Sequence, residues 1–153
     1  MADHVALIAR LEALTGPDRE VDALLWAHFD GRTVRELDGM LLARSSRRPN
    51  DECIIGFVDP GKLSSNVTAR EPIPNVTASL DAVIALVERE LPGWRIEMRI
   101  GEWPPHYPGG VVLWNNDTKA KTSVFGIAAK GATPAIALMI ALLRSKPNGG
   151  DNG

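Results

Sequence analysis

From Thr77 to Lys146 the chain reads as helix, three strands, helix, and that order limits the fold more than any other feature. In T77-A-S-L-D-A-V-I-A-L-V-E-R-E-L91, Leu80, Val83, Ile84, Val87 and Leu91 recur at helical spacing and form one apolar face. Thr77 or Ser79 caps this helix, with Asp81 in its first turn. Pro92-Gly93 ends it. In W94-R-I-E-M-R-I100, Trp94, Ile96, Met98 and Ile100 alternate with Arg95, Glu97 and Arg99, which predicts a strand with one buried and one polar face. V111-V-L-W114 and T122-S-V-F-G-I-A128 predict two more strands, joined by a hairpin turn over 115–121. Thr133 caps the last helix and Pro134 takes its first position. Nearly every residue from Ala135 to Leu143 is apolar, so this helix must be covered on most sides, either by the N-terminal helices or by a second subunit. The reading is α+β: an antiparallel sheet of three to five strands packed by the helices near 79–91 and 133–145, in an αβββα C-terminal module.

An N-terminal helix pair adds a further layer. The first helix spans roughly Asp3 to Leu14, with Val5, Ile8 and Leu11 as its stripe and Leu7 and Leu14 less regular members. Gly16 stops it, and Pro17 opens the second helix, with Asp18, Glu20 and Asp22 near the positive helix end. Val21, Leu24, Leu25 and either Trp26 or Phe29 make the buried face of that helix. G31-R-T-V-R-E-L-D-G39 shows no clear period. M40-L-L-A43 and C53-I-I-G-F-V58 are candidate strands separated by the loop R44-S-S-R-R-P-N-D51. D59-P-G61 is a turn, and Lys62 to Asn75 lacks apolar spacing, which marks a functional or partly disordered loop.

With 153 residues and 44% hydrophobic content, the chain suits one core, so residues 1–146 are expected to form a single domain followed by a disordered tail over 147–153. No apolar run approaches a membrane span, and M1-A-D-H-V-A-L-I has no basic region of a secretory signal. A single cysteine, Cys53, excludes an internal disulfide and multi-cysteine metal sites. Cytoplasmic residence follows most simply, and the sequons at Asn66, Asn75 and Asn116 are then chance matches. The net charge of −2 is unevenly spread: residues 1–93 carry 10 Lys+Arg and 15 Asp+Glu (−5), and residues 94–153 carry 7 and 4 (+3). That asymmetry is either ordinary surface variation or a mildly basic face that meets an anion.

Catalytic and cofactor motifs are absent: there is no P-loop, no G-x-G-x-x-G, no G-x-S-x-G and no H-E-x-x-H. No cofactor is expected. His4, His28 and His106 are not at metal-ligand spacing, and Cys53 falls in an apolar strand where it acts as a small hydrophobe. Two groups of residues are candidate contacts. The loop W103-P-P-H-Y-P-G-G110 cannot be a regular element, and its Trp103, His106 and Tyr107 either form a contact surface or pack to close the sheet. Arg95, Arg99, Lys119, Lys121 and Lys130 either share an anion-binding face or decorate a solvated one.

The αβββα order resembles the double-stranded RNA-binding domain over roughly Thr77 to Lys146, and W103-P-P-H106 looks like the Pro-Pro-His loop between that family's first two strands. The resemblance implies phosphate contacts at the start of the last helix, where this chain has Lys130-Gly131-Ala132-Thr133-Pro134; Lys130 is the residue that matches, and Pro134 departs from the pattern. A second resemblance covers more of the chain. L14-T-G-P-D-R-E-V-D22, V76-T-A-S-L-D-A-V-I-A-L-V87 with G93-W94, and A132-T-P-A-I-A-L-M-I-A-L-L143 are similar to small phage- and prophage-encoded accessory proteins with an α–β–α sandwich domain. It implies a phage context and no particular activity; by analogy with small phage accessory proteins as a class, and from the missing catalytic motifs and the Trp103–Tyr107 loop, the chain is expected to be a non-enzymatic protein that inhibits or sequesters a host factor, such as a CRISPR complex or a nucleotide messenger. The partner is then a host protein or complex, with nucleotide or nucleic acid as alternatives, no membrane, and a homodimer left open by the apolar last helix. The other readings are a nucleic-acid-binding module and a small enzyme with its site in the loops between 44 and 76.

Overall fold

The computed structural model describes residues 4–45, 47–48, 50–58, 73–99, 110–115 and 126–146, excepting the side chains of Phe57 and Arg99. In chain order these hold α1 (His4–Ala13), α2 (Arg19–Phe29), β1 (Arg32–Leu37), β2 (Met40–Ser45), β3 (Glu52–Phe57), α3 (Leu80–Glu90), β4 (Arg95–Arg99), β5 (Gly110–Trp114), β6 (Gly126–Ala129) and α4 (Pro134–Ser145). The class is α+β. The strands form two three-stranded antiparallel sheets, ordered β1-β2-β3 and β4-β5-β6, where one sheet of three to five strands was expected.

The reason for two sheets lies in α2. Its Val21, Leu24 and Leu25 enter the main core, while Ala23 and Ala27 face Leu41, Ala43 and Ile55 of the first sheet. Apolar residues on two sides of one helix let it stand between the first sheet and the main core, and the two alanines allow that sheet close approach. The segment read as aperiodic, residues 31–39, contains the whole of β1. Its alternation is hidden because both faces are polar, with only Val34 turned toward apolar neighbours. What sets it in place is the hairpin at Asp38-Gly39, whose φ values of 51° and 78° match a tight two-residue turn that favours this dipeptide. On the other side of this sheet Glu52 accepts hydrogen bonds from Arg35 and Arg44, joining all three strands.

The main core is built around α4. All nine residues from Ala135 to Leu143 are buried. Strands β5 and β6 cover one side of the helix, and α1 and α3 cover the rest. Of the two covers expected, the N-terminal helix therefore provides one within the same chain. Each fully buried Leu, Ile or Met here contributes about 1.5–3 kcal/mol of transfer free energy. Thr133 caps the helix by accepting from the Ile136 N–H at 3.2 Å, and Pro134 occupies the first turn.

Local details refine the other helices. Ser79, rather than Thr77, caps α3 by accepting from the Ala82 N–H at 3.3 Å, and Val83 and Val87 are its buried residues. In α1 the buried pair is Leu7 and Leu11, while Val5, expected in the stripe, is 57% exposed. The i, i+4 pair points at α4, and Val5 lies outside that face. Pro17 is not the first residue of α2: the helix starts at Arg19, and the Asp18 side chain caps it by accepting from the Val21 N–H at 3.0 Å. Asp22 is more than a helix-end charge. It is 1% exposed, and it accepts from the Thr77 N–H at 2.7 Å and from Arg19 Nη1 at 3.1 Å.

Candidate binding surfaces

The second sheet has one face in the core, through Val111, Leu113 and Ala129, and one face turned outward. Register places Arg95 opposite Trp114, and Trp114 opposite Gly126. Glu97 pairs with Val112, and Val112 with Ala128, on the same face. Trp114 is half-buried, and two contacts hold its ring. Its indole Nε1–H donates to Glu97 Oε2 at 2.9 Å. Its six-membered ring lies over Gly126, where an added Cβ would stand 3.0 Å from Cε3 and Cζ3 and 2.7 Å from Val112 Cγ1. The missing side chain at Gly126 is thus what lets the indole lie across the sheet. Arg95, Gly126 and Ala128 are exposed around it.

Of the residues expected from the sequence to bind, Arg95 sits on this face, and Lys130 is exposed just beyond β6. Arg99 ends β4, and its side chain lies outside the described residues. Trp103, His106, Tyr107, Lys119 and Lys121 also lie outside them, as do 59–72, 116–125 and the tail. Trp94 packs against the main core, half-buried, in line with its inward phase. Trp114 was missed as a site residue, although its phase, opposite to Val111 and Leu113, marks it as outward.

A cleft of about 290 Å³ opens between α2 and α3. Below it the two helices share the main core, yet they barely touch each other. Leu25, Trp26 and Phe29 line the α2 side, and Ala82, Ala85 and Leu86 line the α3 side. Pro74 and Val76 close one end. The alanines create the space, since a pair of larger residues at 82 and 85 would fill it. Three charged groups also line the cleft, and each has a partner. Asp22 is held by Thr77 and Arg19, Asp30 accepts from Arg32 Nε, and Arg89 donates to Glu90 at 2.9 and 3.0 Å. The Arg32 guanidinium in turn lies over the Trp26 ring at 4.8 Å. The signal for this site was the pairing of two aromatics on α2 with Ala82 and Ala85 at helical spacing on α3, but which helices face each other is not a local property.

At the far ends of the helices His4, His28, Glu90 and Lys146 converge. The His4 and His28 rings are 5.5 Å apart, Lys146 pairs with Glu90, and its ammonium lies 5.9 Å from the Phe29 ring. Burial, then the charges of His4 and Lys146, push the His28 imidazole below its ordinary value of 6.5, with Glu90 pulling the other way. Burial raises the Glu90 carboxyl, but the hydrogen bonds from Lys146 and Arg89 outweigh it and hold the group below its usual range. The sign for His28 follows directly. The folded state binds fewer protons there than the unfolded state, so its stabilising contribution is complete above about pH 6.5 and is lost as pH falls through the folded value. The urea midpoint should therefore drop between about pH 7.5 and pH 5.5, and the drop should be smaller in His28→Gln. Equal drops in the two proteins would show that His28 does not govern this window.

Among the described residues no group of three or more His, Cys, Asp or Glu could hold a metal ion, and no helix is long and apolar enough to cross a membrane. No protein-family model matches the chain, and no curated protein or solved structure is significantly similar to it.

Proposed function

We propose that this chain is a non-enzymatic binding protein that seats an apolar side chain of a partner protein in the cleft between α2 and α3. One observation carries the reading: two apolar helix faces stand apart across about 290 Å³, with aromatics on one wall and alanines on the other. Such a concavity suits a single anchor residue of the kind that dominates protein interfaces. The charged groups lining it are engaged in ion pairs and hydrogen bonds that hold the helices and the 73–77 segment, so what they offer is a shaped wall rather than a reactive constellation. The resemblance to phage accessory proteins makes the partner a host factor, such as a protein of a CRISPR complex, that this protein inhibits or sequesters.

The test fills the cleft. Ala85 is exposed yet lines it, so Ala85→Met should leave stability within about 0.5 kcal/mol. Tagged protein and this variant are used to capture partners from host lysate, with Arg35→Ala on the first sheet as a remote control. A stoichiometric protein held by the wild type and by Arg35→Ala, and lost at least about tenfold with Ala85→Met, supports the proposal. Equal capture by the filled variant rejects the cleft as the contact. Turnover of a nucleotide or peptide substrate by the purified protein overturns the non-enzymatic reading.

A further inference from the structure

The outer face of the β4–β5–β6 sheet is a second, independent surface. It is flat, because Gly126 and Ala128 on the edge strand project little or nothing from it. Among the described residues it carries one large aromatic ring, and that ring is already oriented. The Nε1–H bond to Glu97 fixes its edge, and Gly126 receives its face. An indole held this way loses little rotamer freedom when something stacks on it. Arg95 stands opposite Trp114 across the strand pair, so the two side chains leave the same sheet face from neighbouring strands, their Cβ atoms about 5 Å apart. Lys130 follows β6 on the other flank. The chain from residue 94 onward, which contains this sheet, carries the net positive charge of +3.

We propose that this face binds single-stranded nucleic acid, with the Trp114 indole as the stacking surface for one base and Arg95 as a contact to the adjacent phosphate. A fixed aromatic beside a cation on an open sheet face suits an unpaired base, because every base offers a π-face and the backbone next to it is anionic. A duplex does not suit it, since its bases are stacked on each other and present no free face to the indole. RNA and DNA strands share this chemistry, and the experiment separates them. The site is centred on the sheet face at Trp114 and Arg95, and Lys130, where the RNA-binding resemblance placed its phosphate contact, stands only at its flank.

The test is a titration of the full chain with labelled oligouridine, oligothymidine and a duplex, each about twelve nucleotides long, at about 20 mM and about 200 mM salt. The single strands should bind and the duplex should bind more weakly, with the stronger single strand naming the natural sugar. Trp114→Leu should weaken single-strand binding about 5- to 150-fold, the loss that follows removal of one base–aromatic stack. Trp114→Phe, which keeps an aromatic ring, should retain most of the affinity. Arg95→Ala should weaken both single strands and lower the salt slope by about one phosphate contact. If Trp114→Leu unfolds, Arg95→Ala decides the matter, since Arg95 is exposed and its removal takes away no core group. Absence of binding at low salt, equal or tighter binding of the duplex, or wild-type affinity in Trp114→Leu and Arg95→Ala would each overturn the assignment.

Discussion

Replacing Leu138 with alanine is expected to lower the unfolding free energy by about 3–5 kcal/mol. Leu138 is fully buried at the middle of α4, and the residues before and after it are buried as well. The helix is held by β5 and β6 on one side and by α1 and α3 on the others, so no neighbour is free to move into the space left behind. The cost is therefore the lost transfer free energy plus an unrelieved cavity. Urea unfolding followed by circular dichroism gives the value, and the thermal midpoint should fall by about 2–4 °C for each kcal/mol. Leu138→Met, which conserves volume, should cost less than about 1.5 kcal/mol. Val5→Ala, on the exposed side of α1, should stay within about 0.5 kcal/mol. A loss below about 1 kcal/mol for Leu138→Ala would mean that α4 is not the centre of the core.

The second large effect is expected at Asp22. Its two carboxylate oxygens accept from the Thr77 N–H and from Arg19. Thr77 Oγ1 in turn accepts from the Asp18 N–H at 2.9 Å, and Arg19 also donates to Asn75 Oδ1 and, at 3.2 Å, to the Ile73 carbonyl. This knot fastens the segment leading into α3 onto the N-terminal end of α2. Asp22→Ala leaves the Thr77 N–H buried without its acceptor, and the cost should be about 2–3 kcal/mol. Asp22→Asn keeps an amide oxygen for that N–H and should recover more than half of the loss. If Asn proves as costly as Ala, the charge pairing with Arg19 matters more than the backbone bond. Since Asp22 also lines the cleft, its loosening should reduce partner capture, a milder effect than filling the cleft at Ala85.

Much of the second half of the chain was legible because its signals are local. Thr133 is a cap recognisable within three residues, Ser79 was one of two candidates with Thr77, and Pro134 fits only a first turn. Val83 and Val87 repeat at one helical turn, and the unbroken apolar run of α4 leaves it no exposed face. The α+β class follows from such patterns, because period and capping depend on neighbours in sequence. By contrast, β1 was illegible: with polar residues on both of its faces there is no alternation to read, and only the Asp38-Gly39 turn marks the hairpin. In α1, Val5 and Leu7 are equally apolar, and the position of α4 alone makes Leu7 the buried one.

The candidate sites were less legible still, for the same reason on a larger scale. Asp22 and Thr77 are 55 residues apart, so their bond is invisible until α2 and the 73–77 segment meet. The cleft depends on the spacing between α2 and α3, which is set by what both helices bury beneath it. Trp114 becomes an oriented ring only because strand register puts Gly126 opposite it and Glu97 within reach. Sequence by itself determined the four helices, the Thr133 cap, the phases of β4 and β5 and the apolar weight of α4, all of which arise from interactions a few residues apart. Only the tertiary structure decided the division into two sheets, the polar knot at Asp22, the cleft and the tryptophan platform. Each of these requires residues distant in the chain to be brought into contact, and that closeness is fixed by the packing of whole elements rather than by any local preference.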